Sequence, residues 1–177
     1  MKKTVFLITS LFLLGISTGT QAQDDFKKNT IFGELAGSGG FFSLNYDRRF
    51  GDSPTGFGMR TGVGYFQWSS DRFVTIPIIA NWLIGSNGKY LELGAGMSLA
   101  YAETFKHNPN LETSMEDFQP SSRFGLWQTP LLNIGYRRQP IDGGFNFRAG
   151  LAPIASIGGI SGIQIIPWPY LSFGLTF

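Results

Sequence analysis

Along most of the chain apolar residues recur at every second position. The clearest run is Tyr90–Tyr101. Leu91, Leu93, Ala95, Met97, Leu99 and Tyr101 form one set; Glu92, Gly94, Gly96, Ser98 and Ala100 form the other. Successive side chains of a strand point to opposite faces, so this run is a ribbon with one greasy face and one small, wettable face. The same period predicts strands over Thr30–Gly37, Phe41–Arg49, Thr55–Trp68, Arg72–Ile84, Arg123–Arg138, Gly144–Pro153 and Trp168–Phe177. In the second, Phe42, Leu44 and Tyr46 alternate with Ser43, Asn45 and Asp47. In the last, Leu171, Phe173, Leu175 and Phe177 alternate with Tyr170, Ser172, Gly174 and Thr176.

Turn chemistry separates the strands. Gly37-Ser38-Gly39-Gly40, Phe50–Pro54, Ser69–Asp71, Gly85-Ser86-Asn87-Gly88 and Gln139–Gly143 all read as turns. Glu103–Ser122 lacks alternation and is rich in Asn, Pro, Glu and Ser, which predicts a long loop. Ala155–Pro167 is rich in Gly and Ile; it reads ambiguously and is taken as the second long loop. Pro77 lies inside the fourth strand. Proline lacks a ladder donor, so a bulge or a local break is expected there.

The greasy faces are longer than a soluble sheet needs. A strand crossing a bilayer uses ~9–11 residues, apolar outside and polar inside. The reading is therefore an all-β protein, an eight-stranded antiparallel up-and-down transmembrane β-barrel. With both termini on the periplasmic side, the two longest loops fall on the outer side and three short turns on the inner side, an asymmetry expected of such barrels. The short loops at Gly37–Gly40 and Ser69–Asp71 make that asymmetry partial. A soluble lipid-binding barrel of the lipocalin type would need the opposite arrangement, an apolar interior and a polar exterior.

The first residues differ from the rest. Lys2 and Lys3 precede an apolar core over Val5–Ile16, and Thr20-Gln21-Ala22 offers a cleavage site. Residues 1–22 are expected to be a cleaved secretory signal peptide, and 23–177 the barrel domain. Removing Lys2 and Lys3 from the 14 basic residues balances the 12 acidic ones. The exported chain is then near neutral, which gives no electrostatic case for nucleic acid. There is no cysteine, hence no disulfide and no thiolate metal site. With 17 phenylalanines among its 177 residues and 24 glycines, the composition suits curved strands with an aromatic exterior. Tyr46, Tyr65, Trp82, Tyr101, Tyr136 and Trp168 read as the aromatic girdle at the two membrane interfaces.

Leu171-Ser172-Phe173-Gly174-Leu175-Thr176-Phe177 alternates and ends on phenylalanine. This resembles the C-terminal strand of bacterial outer-membrane proteins, which implies recognition of Phe177 by the barrel-assembly machinery. Asn45-Tyr46-Asp47-Arg48-Arg49-Phe50, Leu91-Glu92-Leu93-Gly94-Ala95-Gly96 and Asn133-Ile134-Gly135-Tyr136-Arg137 look like strand segments of small eight-stranded outer-membrane β-barrel proteins of unassigned function. The resemblance implies a location in the outer membrane of a Gram-negative bacterium, outer-membrane lipid as the surrounding partner, and a monomer. It implies no activity and no cofactor.

With Leu91, Phe42 and Phe147 outward, the inward set includes Glu34, Asp47, Arg60, Glu92, Arg137 and Arg148. Three acids and three arginines inside a narrow barrel are costly unless paired, so interlocked carboxylate–guanidinium pairs are expected. The two readings of this set are an ion path and a structural plug. An eight-stranded bore is just wide enough for side chains, which favours the plug. The alternative function is a lipid-modifying enzyme, of the lipid A deacylase or acyltransferase type. It would have to use His107, the only histidine, near Ser114, Glu116 and Asp117 in the long loop. No family motif surrounds His107. Glu112, Glu116 and Asp117 lack the spacing of a Ca²⁺ loop. The expected protein is non-enzymatic, with a structural or surface-interaction role.

Overall fold

The computed structural model describes residues 26–68, 71–104, 126–157 and 163–177. Its strands are β1 (Asn29–Ala36), β2 (Phe42–Arg49), β3 (Gly56–Trp68), β4 (Asp71–Ser86), β5 (Lys89–Thr104), β6 (Leu126–Arg138), β7 (Gly144–Leu151), β8 (Ile154–Ile157), β9 (Ile163–Ile166) and β10 (Pro169–Thr176). Every pairing is antiparallel. Neighbours in sequence pair from β1 to β7, and β10 pairs with both β7 and β1, which closes the sheet on itself.

Ten segments make eight staves. The β6–β7 ladder reaches Ile134↔Leu151, and Leu131↔Ile154 continues it in the same register. On the other side Pro169↔Leu151 is followed in register by Ile154↔Ile166. Thus β7 and β8 are one strand interrupted at Ala152-Pro153, and β9 and β10 are one interrupted at Pro167-Trp168. The result is a closed eight-stranded all-antiparallel β-barrel. This corrects the two ends of the loop expected over Ala155–Pro167, while 158–162 lie outside the described residues. Its β-branched isoleucines extend the seventh and eighth strands, and the prolines interrupt pairing without turning the chain.

Pro77 acts similarly. The β3–β4 ladder runs from Gly56↔Leu83 to Thr61↔Ile78 and resumes at Gly64↔Thr75 in the same register. Pairing is lost only beside Pro77, while toward β5 the ladder is continuous and Pro77 faces Ser98. A local break forms there, and no bulge.

The chain ends meet. Asn29 N–H donates to Phe177 O at 3.1 Å, and Phe177 N–H donates to Asn29 O at 2.8 Å. At this same end lie the connections 50–55, 87–88 and 139–143. The second is a two-residue hairpin, with Asn87 at φ 54° and Gly88 at φ 74°, the left-handed pair that matches strand twist. At the opposite end the β1–β2 connection does more than turn. Gly37–Gly39 forms a short 3₁₀ turn whose three residues are buried inside the barrel. Thr75 Oγ1 donates to Gly39 O at 2.6 Å, and the Ser38 hydroxyl hydrogen bonds the Asn133 side chain at 3.0 Å.

The two faces separate as the period of two requires. Ile31, Leu35, Phe42, Leu44, Met59, Val63, Ile76, Trp82, Leu91, Met97, Leu132, Phe173 and Leu175 are exposed on the outside. The buried set inside is mostly polar or charged, with Phe32, Ile79, Leu83, Tyr90, Leu131 and Tyr170 among it. The core is therefore a polar lumen.

Candidate functional site

The inward positions bring charged groups from six strands into one cluster. Glu34 comes from β1, Asp47 from β2, Arg60 from β3, Glu92 from β5, Arg137 from β6 and Arg148 from β7. All six are essentially fully buried. A seventh joins them: Arg49, on β2 two residues beyond Asp47 and 1% exposed. Its parity matched Asp47, but it lies against the Phe50–Pro54 turn, where alternation stops. Among the described residues the buried set is thus four guanidinium groups against three carboxylates.

Asp47 is the hub. Arg137 Nη2 donates to its Oδ1 at 2.7 Å, and Arg49 Nε and Arg148 Nη2 stand at 3.6 Å and 3.7 Å. Asn81 Nδ2, from β4, donates to Oδ2 at 2.5 Å. Glu92 lies between the same two arginines, with Arg148 Nη1 at 3.2 Å and Arg137 Nη1 at 3.7 Å. Glu34 and Arg60 form a separate bidentate pair at 3.0 Å and 3.3 Å. Parallel N–H···O bonds of this kind suit the planar guanidinium fork. The backbone N–H of Ser38 also donates to Glu34 Oε1, at 3.1 Å, which ties the 3₁₀ turn to the charge cluster. Between the two groups lies the Phe32 ring, with Arg148 3.9 Å from its centroid on one side and Arg60 at 5.6 Å.

Space for these side chains comes from glycine. A β-carbon at Gly58 would overlap the Arg49 guanidinium, and one at Gly62 would overlap the Asn45 amide. The small residues of the wettable face are therefore sockets for long residues on neighbouring strands. Several buried donors, among them Arg49 Nη2, Arg137 Nε and Arg148 Nη2, have no hydrogen-bond partner among the described residues. Groups of that kind are ordinarily met by internal water.

Chemically, this cluster crosslinks. Each carboxylate faces at least one guanidinium, and no group of three or more potential metal ligands that could hold an ion occurs among the described residues. His107, Glu112, Ser114, Glu116 and Asp117 lie outside the described residues. Of the expected girdle aromatics, Tyr65, Trp82 and Tyr136 are exposed outward, and Tyr46 is half-buried with its hydroxyl donating to Asn29 at 2.7 Å. Tyr101 is also half-buried and pairs with the outward-facing Val74. Trp168 departs from that set. It lies two residues before the buried Tyr170 and lines a half-open cavity at the barrel end opposite the termini, because strand parity at that point faces it inward.

No family model and no curated protein sequence matches this chain. Solved structures do. The N-terminal β-barrel domain of Pseudomonas aeruginosa OprF superposes with a TM-score of 0.52 at 13% identity, over 85% of this chain and 96% of that one. The chain has the fold of a small outer-membrane β-barrel. Neisserial surface protein A matches with a TM-score of 0.47 at 18% identity, over 88% and 97% of the two chains. Ail, the attachment invasion locus protein of Yersinia pestis, crystallised with the heparin analogue sucrose octasulfate, matches at 0.41 and 16% identity, over 86% and 97%.

Proposed function

We propose that this barrel is an integral protein of the bacterial outer membrane with a structural or surface-interaction role, and that its lumen is a plug. One observation carries the reading: the molecule is inside-out relative to a soluble protein. Its apolar side chains form a continuous exposed belt, while seven ionised side chains are buried. Monomeric soluble proteins rarely expose apolar patches above a few hundred Å². In hydrocarbon the belt is solvated, and closure of the sheet satisfies the backbone. The shared fold supports the same location.

The plug follows from the cluster. Contacts of 2.7–3.7 Å tie β2 to β6 and β7, and β5 to the same two strands. The Gly37–Gly39 turn caps the cluster on one side. Export through the leader at residues 1–22, assembly through the strand ending at Phe177, and existence as a monomer in lipid belong to the same proposal. The test has two parts. Membranes from expressing cells are washed with urea, and the unboiled protein is run on a denaturing gel. Retention in the membrane and a mobility shift on boiling are expected; a soluble product without the shift overturns the membrane reading. Purified protein in planar bilayers should show no steady conductance, and a stable open level would overturn the plug.

A further inference from the structure

Inward-facing positions change character toward the end of the barrel opposite the termini. Midway they are charged; at this mouth they become aromatic. Phe66 and Phe73 stack with centroids 4.6 Å apart and planes 9° from parallel. Phe41 meets Phe66 edge-on at 5.9 Å and Trp168 at 5.9 Å. These four rings form a curved wall above the buried 3₁₀ turn and, with Ala100 and Leu131, help enclose a cavity of about 360 Å³. A ring at position 66 requires glycine at 40, since a β-carbon there would overlap Phe66.

A water-filled barrel mouth is polar on its inner side. Here it is apolar, and water in such a cavity finds few partners. Two buried polar atoms on lining residues have no hydrogen-bond partner among the described residues. Ser98 Oγ is buried with no hydrogen-bond partner, and Trp168 Nε1 has none either. Among the described residues, none in the lining carries a charge. A volume near 360 Å³ falls at the lower end of the ~300–1,000 Å³ range of small-molecule sites.

We infer that this vestibule binds a neutral lipophilic small molecule bearing a hydrogen-bond-accepting oxygen, of ester, ketone or alcohol type. The rings hold its apolar body, and Ser98 Oγ and Trp168 Nε1 are the donors its oxygen would meet. An ionised head group finds no counter-charge among the described lining residues and is disfavoured. The site goes beyond the membrane-barrel reading and holds whichever compartment the mouth faces.

The test uses the full chain in lipid nanodiscs, with Trp68, Trp82 and Trp127 replaced by phenylalanine so that Trp168 is the sole indole. The probe is the methyl ester of an ω-bromo fatty acid, whose bromine quenches indole on contact. Saturable quenching is expected, at least ~10-fold weaker with the free acid at neutral pH. Ala100→Phe, which fills the cavity, should abolish saturation; Ser98→Leu serves as a second filler if the first does not fold by gel shift. A chain whose sole indole is the outward Trp82 should show only unsaturable partition into the bilayer. Quenching of Trp168 that follows the same unsaturable line, or that persists in a folded filler variant, overturns the site.

Discussion

Arg60→Met is the sharpest test of the lumen. Arg60 and Glu34 are both buried, form a bidentate pair at 3.0 Å and 3.3 Å, and stand apart from the Asp47 hub. Two unit charges 3.0 Å apart attract by about 5 kcal/mol at an effective dielectric of ~20. Breaking one partner of a buried pair typically costs ~3–5 kcal/mol, because the survivor remains charged and desolvated. With Arg60 gone, Glu34 keeps only the Ser38 N–H at 3.1 Å. The expected loss is therefore about 3–5 kcal/mol. Glu34→Gln together with Arg60→Met removes both charges and should recover all but about 1 kcal/mol, since an apolar replacement of a buried pair is often neutral. Arg148→Met should cost less than Arg60→Met, because Asp47 and Glu92 each keep Arg137. The assay is urea unfolding in lipid vesicles, followed by tryptophan fluorescence and by the gel shift on boiling. If Arg60→Met costs under about 1 kcal/mol, or if the double variant is no more stable than the single one, the pair is solvated and the reasoning fails.

Other expectations follow from the same geometry. Ala95→Arg places a cation on the lipid face near mid-strand and should cost ~2–4 kcal/mol, whereas Gly94→Ser points inward, meets Ile79 at 3.0 Å and Asn133 at 3.2 Å, and should cost about 1 kcal/mol; equal penalties in urea titrations would refute the two-face assignment. Ala36 sits at φ 56° and ψ −158°, a conformation that glycine adopts freely and that strains alanine, so Ala36→Gly should raise stability by about 1 kcal/mol, measured as a shift in the unfolding midpoint. His107→Ala should leave the lipid A of the host unchanged by mass spectrometry; an acyl-chain difference present with wild type and lost in the variant would establish the enzymatic alternative.

What the sequence disclosed was set by the period of two. Alternation depends only on which residues face lipid, so it marked the strands and assigned Glu34, Asp47, Arg60, Glu92, Arg137 and Arg148 to the inside. The Asn87-Gly88 turn was legible because its left-handed geometry selects those residues. Arg49 escaped because one charged position beside a turn shows no alternation of its own. Ile154–Ile157 and Ile163–Ile166 were hidden by Pro153 and Pro167, whose cost is a lost donor and not a lost strand. The inward fold of Gly37–Gly39 had no local signal at all. It depends on Thr75, and on Asn133, whose hydrogen bond to Ser38 spans 95 residues. Whether Arg60 would choose Asp47, its neighbour across the ladder, or Glu34 was likewise a three-dimensional matter.

The spacing of the lumenal pairs along the chain also governs how the molecule is made. Arg60 finds its carboxylate 26 residues away, Arg148 finds Glu92 56 residues away, and Arg137 finds Asp47 90 residues away. The β1–β2 hairpin carries Glu34 and Asp47 inward with Arg49 beside Asp47, so alone it would take an unbalanced charge into hydrocarbon. The first hairpins hold that charge long before the sixth strand supplies Arg137. Strand-by-strand insertion is therefore uphill until most of the sheet exists, and the entropy of joining such distant residues is spent before any electrostatic return. Late, concerted insertion is the expected outcome, in which the sheet curls and its charges neutralise one another before the finished wall meets lipid. The last stave, which supplies the seam to Asn29, is the latch of that process, and a chain cut short before Phe177 has no stable stopping point on the way.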